Sequence, residues 1–290
     1  MRVHLVDGTY ELFRQHFGAT AGGTRIPGEF DATVGTLAST IQLLADGATH
    51  IGVATDSVIE SFRNDLFPGY KTGEGMPPEL TAQIPVLEEA LRDLGVTVWA
   101  MERWEADDAL ASAALAASAD PRVEQVLIVT PDKDLGQCVT GDRVVQYDRR
   151  KREIVNEAAV RDKFGVGPES IADYLALVGD TADGIPGLPG WGAKSTSAVL
   201  SRYGHLEEIP DEASLWEVDG LRGAAKLAGT LAERREDAML FRTLATVALD
   251  VPVGVVDDWQ WLGPTEAFTA TCERLGSGAL VARAQRAAGI

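Results

Sequence analysis

The chain has only two cysteines in 290 residues, Cys138 and Cys272. They stand far apart and form no C-x-x-C pair, which argues against a disulfide framework or a cysteine zinc site. Both read as packing residues in a reducing cytoplasm. Basic residues are scarce: 26 Lys and Arg against 44 Asp and Glu leave a net charge of -18. That argues against a broad nucleic-acid-coating surface, although local basic patches can still grip phosphates. No apolar run is long enough to span a membrane, and the N-terminus, MRVHLVDGTY, reads as a strand rather than a signal peptide. Internal repeats and low-complexity tracts are lacking, and His4 and His50 offer no ligand spacing. An apolar content of 45% suits one large α/β domain with an appendage, or two smaller domains.

Short apolar strands are expected at Val3–Val6, His50–Ala54, Val96–Ala100 and Val126–Thr130, separated by helical patterns. Strands alternating with helices predict a parallel, doubly wound sheet, in which ligands bind at the carboxyl ends of the strands. Helices are expected over about 29–44, through Leu94 with a bend near Pro85, and over 106–117, 168–178 and 193–203. The stretch 57–78 has no clean period and is longer than an ordinary connection. A hairpin with the basic run Arg149–Arg152 leads into a remainder that reads as mostly helical, with an acidic, Trp-bearing stretch at 257–261.

What the chain has in quantity is acid at element boundaries. Nine carboxylates fall in five clusters: Asp7; Asp56; Glu105, Asp107 and Asp108; Asp132 and Asp134; Asp180 and Asp183. Taken singly, Asp7 and Asp56 read as turn or cap residues. Glu105-Ala-Asp107-Asp108 opens a helix, where the dipole favours acid, yet three acids exceed what a cap needs. In an extended Asp132-Lys133-Asp134 the two carboxylates share a side and Lys133 points away. That suits a pair of ions about 3.5–4 Å apart, and an Asp-rich turn with helix capping from Asp134 is the alternative. Asp180 and Asp183 share a face if their turn is helical, and an Asx-rich loop is the alternative. Gathered by the fold, so many like charges need cations, and hard oxygen ligands suit Mg²⁺ or Mn²⁺.

Gly187-Leu-Pro-Gly190-Trp-Gly192-Ala-Lys194-Ser195 is a glycine-rich loop entering a helix, a geometry that exposes N–H groups to phosphate. Its spacing is not that of a Walker loop, and a tight helix–hairpin turn without a ligand is the alternative. Phe13 and Arg14 follow Asp7 closely, and Arg63, Tyr70 and Lys71 lie in the long 57–78 stretch.

Together these pieces resemble the 5′-nuclease family of flap endonucleases and 5′–3′ exonucleases, which includes the exonuclease domain of bacterial DNA polymerase I. The resemblance is carried by LVDG at 5–8 with FR at 13–14, FRNDLFPGYK at 62–71, EADD at 105–108, TPDKDL at 130–135 and GDTADGIPGLPGWGAKS at 179–195, with Tyr203-Gly204 after it. It implies an α/β fold, a parallel doubly wound sheet core with a helical arch or loop. A C-terminal helical region would carry a helix–three-turn–helix that binds DNA. The nuclease core and metal site would occupy 1–155, with the arch at about 57–80. The helical region would span 156–290, with its motif at about 168–204.

The resemblance further implies two or three Mg²⁺ or Mn²⁺ ions. Asp7, Asp56, Glu105, Asp107 and Asp108 would serve the first, directly or through water, and Asp132, Asp134, Asp180 and Asp183 the second. Lys71 would steer the scissile phosphate and Phe13 would stack on a flipped terminal nucleotide. Arg14, Arg63, Tyr70, Gly187, Gly190, Gly192, Lys194 and Ser195 would contact DNA, and the loop could hold K⁺. Two residues depart from the family pattern: Glu74 stands where an arginine is usual, and Gly184 where asparagine is usual. The expected activity is a stand-alone, monomeric, cytoplasmic 5′ nuclease acting on DNA with a 5′ end, flap or nick, in replication or repair. The alternatives are a non-catalytic binder of branched DNA and an RNase.

Overall fold

A computed structural model of the chain describes residues 1–21 and 28–290. The chain divides into two compact units, and neither is one continuous stretch. The first comprises Met1–Ser61, Gly73–Thr130 and Ala248–Ile290, the second Phe62–Thr72 and Pro131–Val247.

The first unit is built on four parallel strands, β1 (Arg2–Asp7), β2 (His50–Asp56), β3 (Thr97–Met101) and β4 (Gln125–Val129), in the order β3-β2-β1-β4. Their near-continuous apolar runs reflect burial on both faces; Val3, Leu5, Ile51, Val53, Val126 and Ile128 are wholly inaccessible. The register pairs Asp7 with Ala54, Val6 with Val129 and Asp56 with Met101. All four strands therefore end on one edge. The order reverses between β1 and β4, and the crevice at such a switch point is where open α/β sheets bind ligands. Asp7 ends β1, and Thr130 lies just past β4.

Helix Ala106–Ala119 packs against all four strands, and its alanines let it approach closely. The helical stretch before Leu94 is two helices, Pro78–Thr81 and Gln83–Asp93, separated at Ala82. Pro85 is not the break. It sits in the first turn of the second helix, where its missing N–H costs no hydrogen bond. The C-terminal part is less helical than its sequence suggests. Residues 248–267 belong to the first unit and run as irregular chain with a 3₁₀ turn at Val256–Trp259 before helices Phe268–Arg274 and Ala279–Ala288. Trp99 and Trp259 both donate to the Val253 carbonyl, at 3.1 and 2.9 Å, and their rings meet edge to face. The Trp261 amide donates to the Thr49 carbonyl.

The second unit carries an antiparallel pair, β5 (Val144–Asp148) and β6 (Glu153–Val155), and helices Glu157–Phe164, Ile171–Val178, Ala193–Tyr203, Ala224–Glu233 and Arg235–Ala245. Its core includes Ile171, Leu175, Trp191, Val199, Leu231 and Phe241. Of the region expected as the arch, about 57–80, Phe62–Thr72 belongs to this unit and holds a five-residue helix, Phe62–Leu66, followed by a loop, while the flanking residues belong to the first unit. Among the described residues no helix is long and apolar enough to cross a membrane.

Candidate metal centre

In the first unit, Asp7, Asp56, Glu105 and Asp108 are held by backbone or hydroxyl donors at strand ends and at the start of helix Ala106–Ala119. Asp7 Oδ1 accepts the Tyr10 amide at 2.8 Å and so opens helix Gly8–Ala21, while Oδ2 accepts the Thr130 hydroxyl at 3.1 Å. Asp56 Oδ1 accepts the Ala106 amide at 2.8 Å, and its own amide donates to Thr9 Oγ1. Glu105 precedes the helix with extended backbone and accepts the Ser61 hydroxyl at 2.6 Å. Glu105 thus belongs to the incoming loop, as convergence with Asp107 requires. Asp108 is fully buried. Its Oδ2 accepts the Glu105 amide at 3.0 Å and its Oδ1 the Ala248 amide at 2.7 Å. With a backbone N–H on each oxygen, Asp108 seats the start of the helix and Glu105 before it. Asp107 is half-buried.

In the second unit, Asp134, Asp180 and Asp183 each offer a carboxylate oxygen, and these lie within 4.8 Å of one another. Asp134 and Asp180 are buried and Asp183 is half-buried. Burial, then the charge of Asp132, then the charge and hydrogen bond of Asp183 and the charge of Asp180, hold the Asp134 carboxyl well above the usual carboxylate range. Asp134 Oδ1 is buried with no hydrogen-bond partner. An orphaned carboxylate oxygen beside two further carboxylates fits a hard divalent cation, the donor set that Mg²⁺ and Mn²⁺ prefer.

Lys133 does not point away from this cluster. The segment is not extended: Lys133 has helical backbone, a 3₁₀ turn starts at Asp134, and Asp132 Oδ1 accepts the Asp134 amide at 3.0 Å. That turn carries the Lys133 ammonium to 2.6 Å from Asp180 Oδ2. Burial alone would lower its pKa. The Asp180 hydrogen bond and the charges of Asp134, Asp180 and Asp132 outweigh burial and hold it above the usual lysine range. Lys71 Nζ lies 2.9 Å from Asp183 Oδ1, and the Lys71 amide donates to the Asp183 carbonyl. Two lysines therefore offset charge in a cluster of acids.

The Asp180–Gly187 turn owes its shape to close backbone approaches. Asp180 and Ile185 exchange two backbone hydrogen bonds of 2.8 Å. Gly184 has φ +75, and a Cβ there would press directly on the Gly69 carbonyl oxygen. The usual asparagine is thus excluded sterically in this chain. Gly187 has φ +69, with backbone of Val178 and Gly179 where a side chain would go.

Two residues expected to contact DNA have internal roles. Arg63 is 3% exposed; its Nε and Nη2 donate to the Leu244 and Thr246 carbonyls, both at 2.8 Å, closing the end of helix Arg235–Ala245. Tyr70 is 4% exposed within the core of the second unit. Arg14 pairs with the buried Glu11, and half-buried Phe13 lies 6.2 Å from the Phe17 ring. Gly190 and Gly192 are exposed, as is Lys194, while Ser195 is half-buried. The Ser195 hydroxyl closes the loop on the Gly192 amide and carbonyl. Sequence reasoning missed Glu88, buried on helix Gln83–Asp93 behind the end of β2. Its signal was a carboxylate on the stripe Ile84, Leu87, Leu91, where apolar residues belong.

Residues 2–165 match the family model described as 5′-3′ exonuclease, N-terminal resolvase-like domain, and residues 166–267 match 5′-3′ exonuclease, C-terminal SAM fold. The 5′-3′ exonuclease of Buchnera aphidicola is 31% identical over 88% of each chain. DNA polymerase I of Bacillus caldotenax is 33% identical over 94% of this chain. The chain spans only 31% of that polymerase's length. Among solved structures, T5 5′-exonuclease with bound zinc superposes with a TM-score of 0.67 at 20% identity, covering 100% of this chain and 99% of that one. The catalytic core of Rad2 with DNA substrate superposes with a TM-score of 0.61 at 12% identity, covering 99% and 92%. These two likenesses establish the fold, and the two family matches together span almost the whole sequence: the chain belongs to the 5′-3′ exonuclease family.

Proposed function

We propose that the protein is a divalent-metal-dependent 5′ nuclease that hydrolyses phosphodiesters near the 5′ end, flap or nick of DNA. The observation that carries this reading is the gathering of the Asp134, Asp180 and Asp183 carboxylates, one of which, Asp134, keeps a buried oxygen without a hydrogen-bond partner. Family membership and the likeness to a zinc-bound exonuclease support it. Asp7, Asp56, Glu105, Asp107 and Asp108 of the first unit would serve one Mg²⁺ or Mn²⁺ ion, directly or through water, and Asp132, Asp134, Asp180 and Asp183 of the second unit another. Asp108 fixes the Glu105 backbone. Bound divalent cations supply a water of lowered pKa and stabilise the leaving oxygen of an in-line displacement.

The chain's own groups do the rest. Asp7 and Asp56 are held by backbone donors, so their geometry is set before substrate arrives. Lys71 exchanges its Asp183 partner for the scissile phosphate and stabilises charge developing there. The exposed loop Gly190–Lys194, opening helix Ala193–Tyr203, offers backbone N–H groups and one ammonium to a duplex phosphate, and its carbonyls suit K⁺. The helices of the second unit, with the motif at about 168–204, serve as the DNA-binding part, and Phe13 and Arg14 line the path of the terminal nucleotide. The protein acts as a monomer in the cytoplasm, in replication or repair.

Asp132→Asn and Asp134→Asn test the reading. Each should abolish cleavage of a 5′-labelled flap while duplex binding persists in a gel-shift assay. Near-normal turnover in either variant removes the metal reading.

A further inference from the structure

Asp56 sits between two hydroxyl residues, Thr55 and Ser57, at the end of β2. Thr55 and Asp56 point to opposite sides of the strand, and the bend that starts at Ser57 turns its hydroxyl to the side of Thr55. The hydrogen bonds divide the same way. Asp56 Oδ1 receives the Ala106 amide. On the reverse side, Thr55 Oγ1 donates to Glu88 Oε1 at 2.7 Å, and Ser57 Oγ donates to the same oxygen. Glu88 is 7% exposed and Thr55 is wholly buried. The second carboxylate oxygen of Glu88 faces the Arg92 guanidinium at 3.7 Å, one helical turn away.

A carboxylate on the apolar stripe of a helix costs desolvation that a leucine there would avoid. What this one obtains is a grip on both residues that flank Asp56. The Ser57 and Val58 amides, bonded to the Met101 carbonyl, continue the hold past the end of the strand. With Thr9 on the Asp56 amide, the backbone of residues 55–57 is fixed from three directions.

We propose that Glu88 is a positioning residue for the metal centre: by clamping Thr55 and Ser57 it fixes the backbone from which Asp56 presents its carboxylate to a divalent cation. This rests on the nuclease reading for its relevance to cleavage, but its binding consequence stands independently. Partners that orient a metal ligand contribute about 10–100-fold in metal affinity or activity.

The test uses the full chain with Glu88→Ala, Glu88→Gln, and Thr55→Val combined with Ser57→Ala. Circular dichroism and Tm establish that each is folded. Mn²⁺ binding is read from the electron paramagnetic resonance signal of the free ion, and single-turnover flap cleavage is measured against Mg²⁺ concentration. Glu88→Ala and the double variant should weaken, by about 10–100-fold, the Mn²⁺ sites that Asp56→Asn removes, and should raise the Mg²⁺ needed for half-maximal rate to match. Glu88→Gln keeps an acceptor oxygen for both hydroxyls and should restore wild-type behaviour, which a simple need for charge would not allow. A folded Glu88→Ala chain with wild-type Mn²⁺ binding overturns the proposal. If Glu88→Ala does not fold, the double variant decides by the same criterion. A wild-type chain that binds Mn²⁺ at the Asp56 site but cleaves no flap overturns the nuclease reading alone.

Discussion

Asp134 is the residue whose position is hardest to explain by stability. It is buried, crowded by Asp132, Asp183 and Asp180, and leaves one oxygen unpartnered. Removing its charge should therefore stabilise the metal-free protein. Its carboxyl titrates higher in the folded than in the unfolded chain. The penalty is thus absent at pH below the unfolded carboxylate range and grows as pH rises through the folded value. Asp134→Asn should raise the Tm measured in EDTA by about 2–4 °C per kcal/mol relieved, and more at pH 8 than at pH 4. A fall in Tm in EDTA at pH 8 would contradict this account. Glu74 poses the opposite question, an acid where the family usually has arginine. Glu74→Arg should raise the single-turnover rate if that missing cation limits catalysis; an unchanged or lower rate would direct attention to Arg149–Arg152. Individual acids were legible because each lies at an element boundary. The direction of Lys133 was not, since the i, i+2 rule presumes extended backbone and the chain turns at that residue. Arg63 was equally opaque: its partners Leu244 and Thr246 lie 181 and 183 residues away in sequence.

At the scale of elements, the parallel strands and helix Ala193–Tyr203 could be read from apolar runs and a glycine-rich start, because local pattern and tertiary burial agree there. The stretch 248–267 could not. Trp259 and Trp261 anchor this irregular chain through Val253 and Thr49, and Trp99 of β3 joins at Val253, a docking that no periodicity announces. The Asp180–Gly187 turn makes a sharper test of element-level reasoning. Gly184→Asn would restore the usual family residue, yet it meets the Gly69 carbonyl and a φ of +75. It should destabilise this chain in urea unfolding rather than improve it. Gly187→Ala should cost at least as much as the roughly 1–3 kcal/mol of a left-handed non-glycine residue, because backbone occupies the Cβ position as well. An unchanged urea midpoint in either variant would show that the turn can move aside.

At the scale of the whole molecule, a net charge of -18 opposes the approach of a polyanion. The DNA affinity proposed for this protein would then come from local donors such as the Gly190–Lys194 loop. It should fall steeply when salt is raised, as each phosphate contact adds about 0.9 to the logarithmic slope. Lys194→Ala should weaken duplex binding uniformly across sequences and lower that slope by about one in a fluorescence-anisotropy titration. An unchanged slope would remove Lys194 from the interface. The central claim, however, is that the acids of this fold exist to hold catalytic cations. The most direct measurement incubates the purified chain with a 5′-labelled DNA flap in Mg²⁺, in Mn²⁺ and in EDTA. Release of short 5′ products with either metal and none in EDTA is the predicted result. Cleavage that persists in EDTA, or an intact flap under all three conditions, would contradict it.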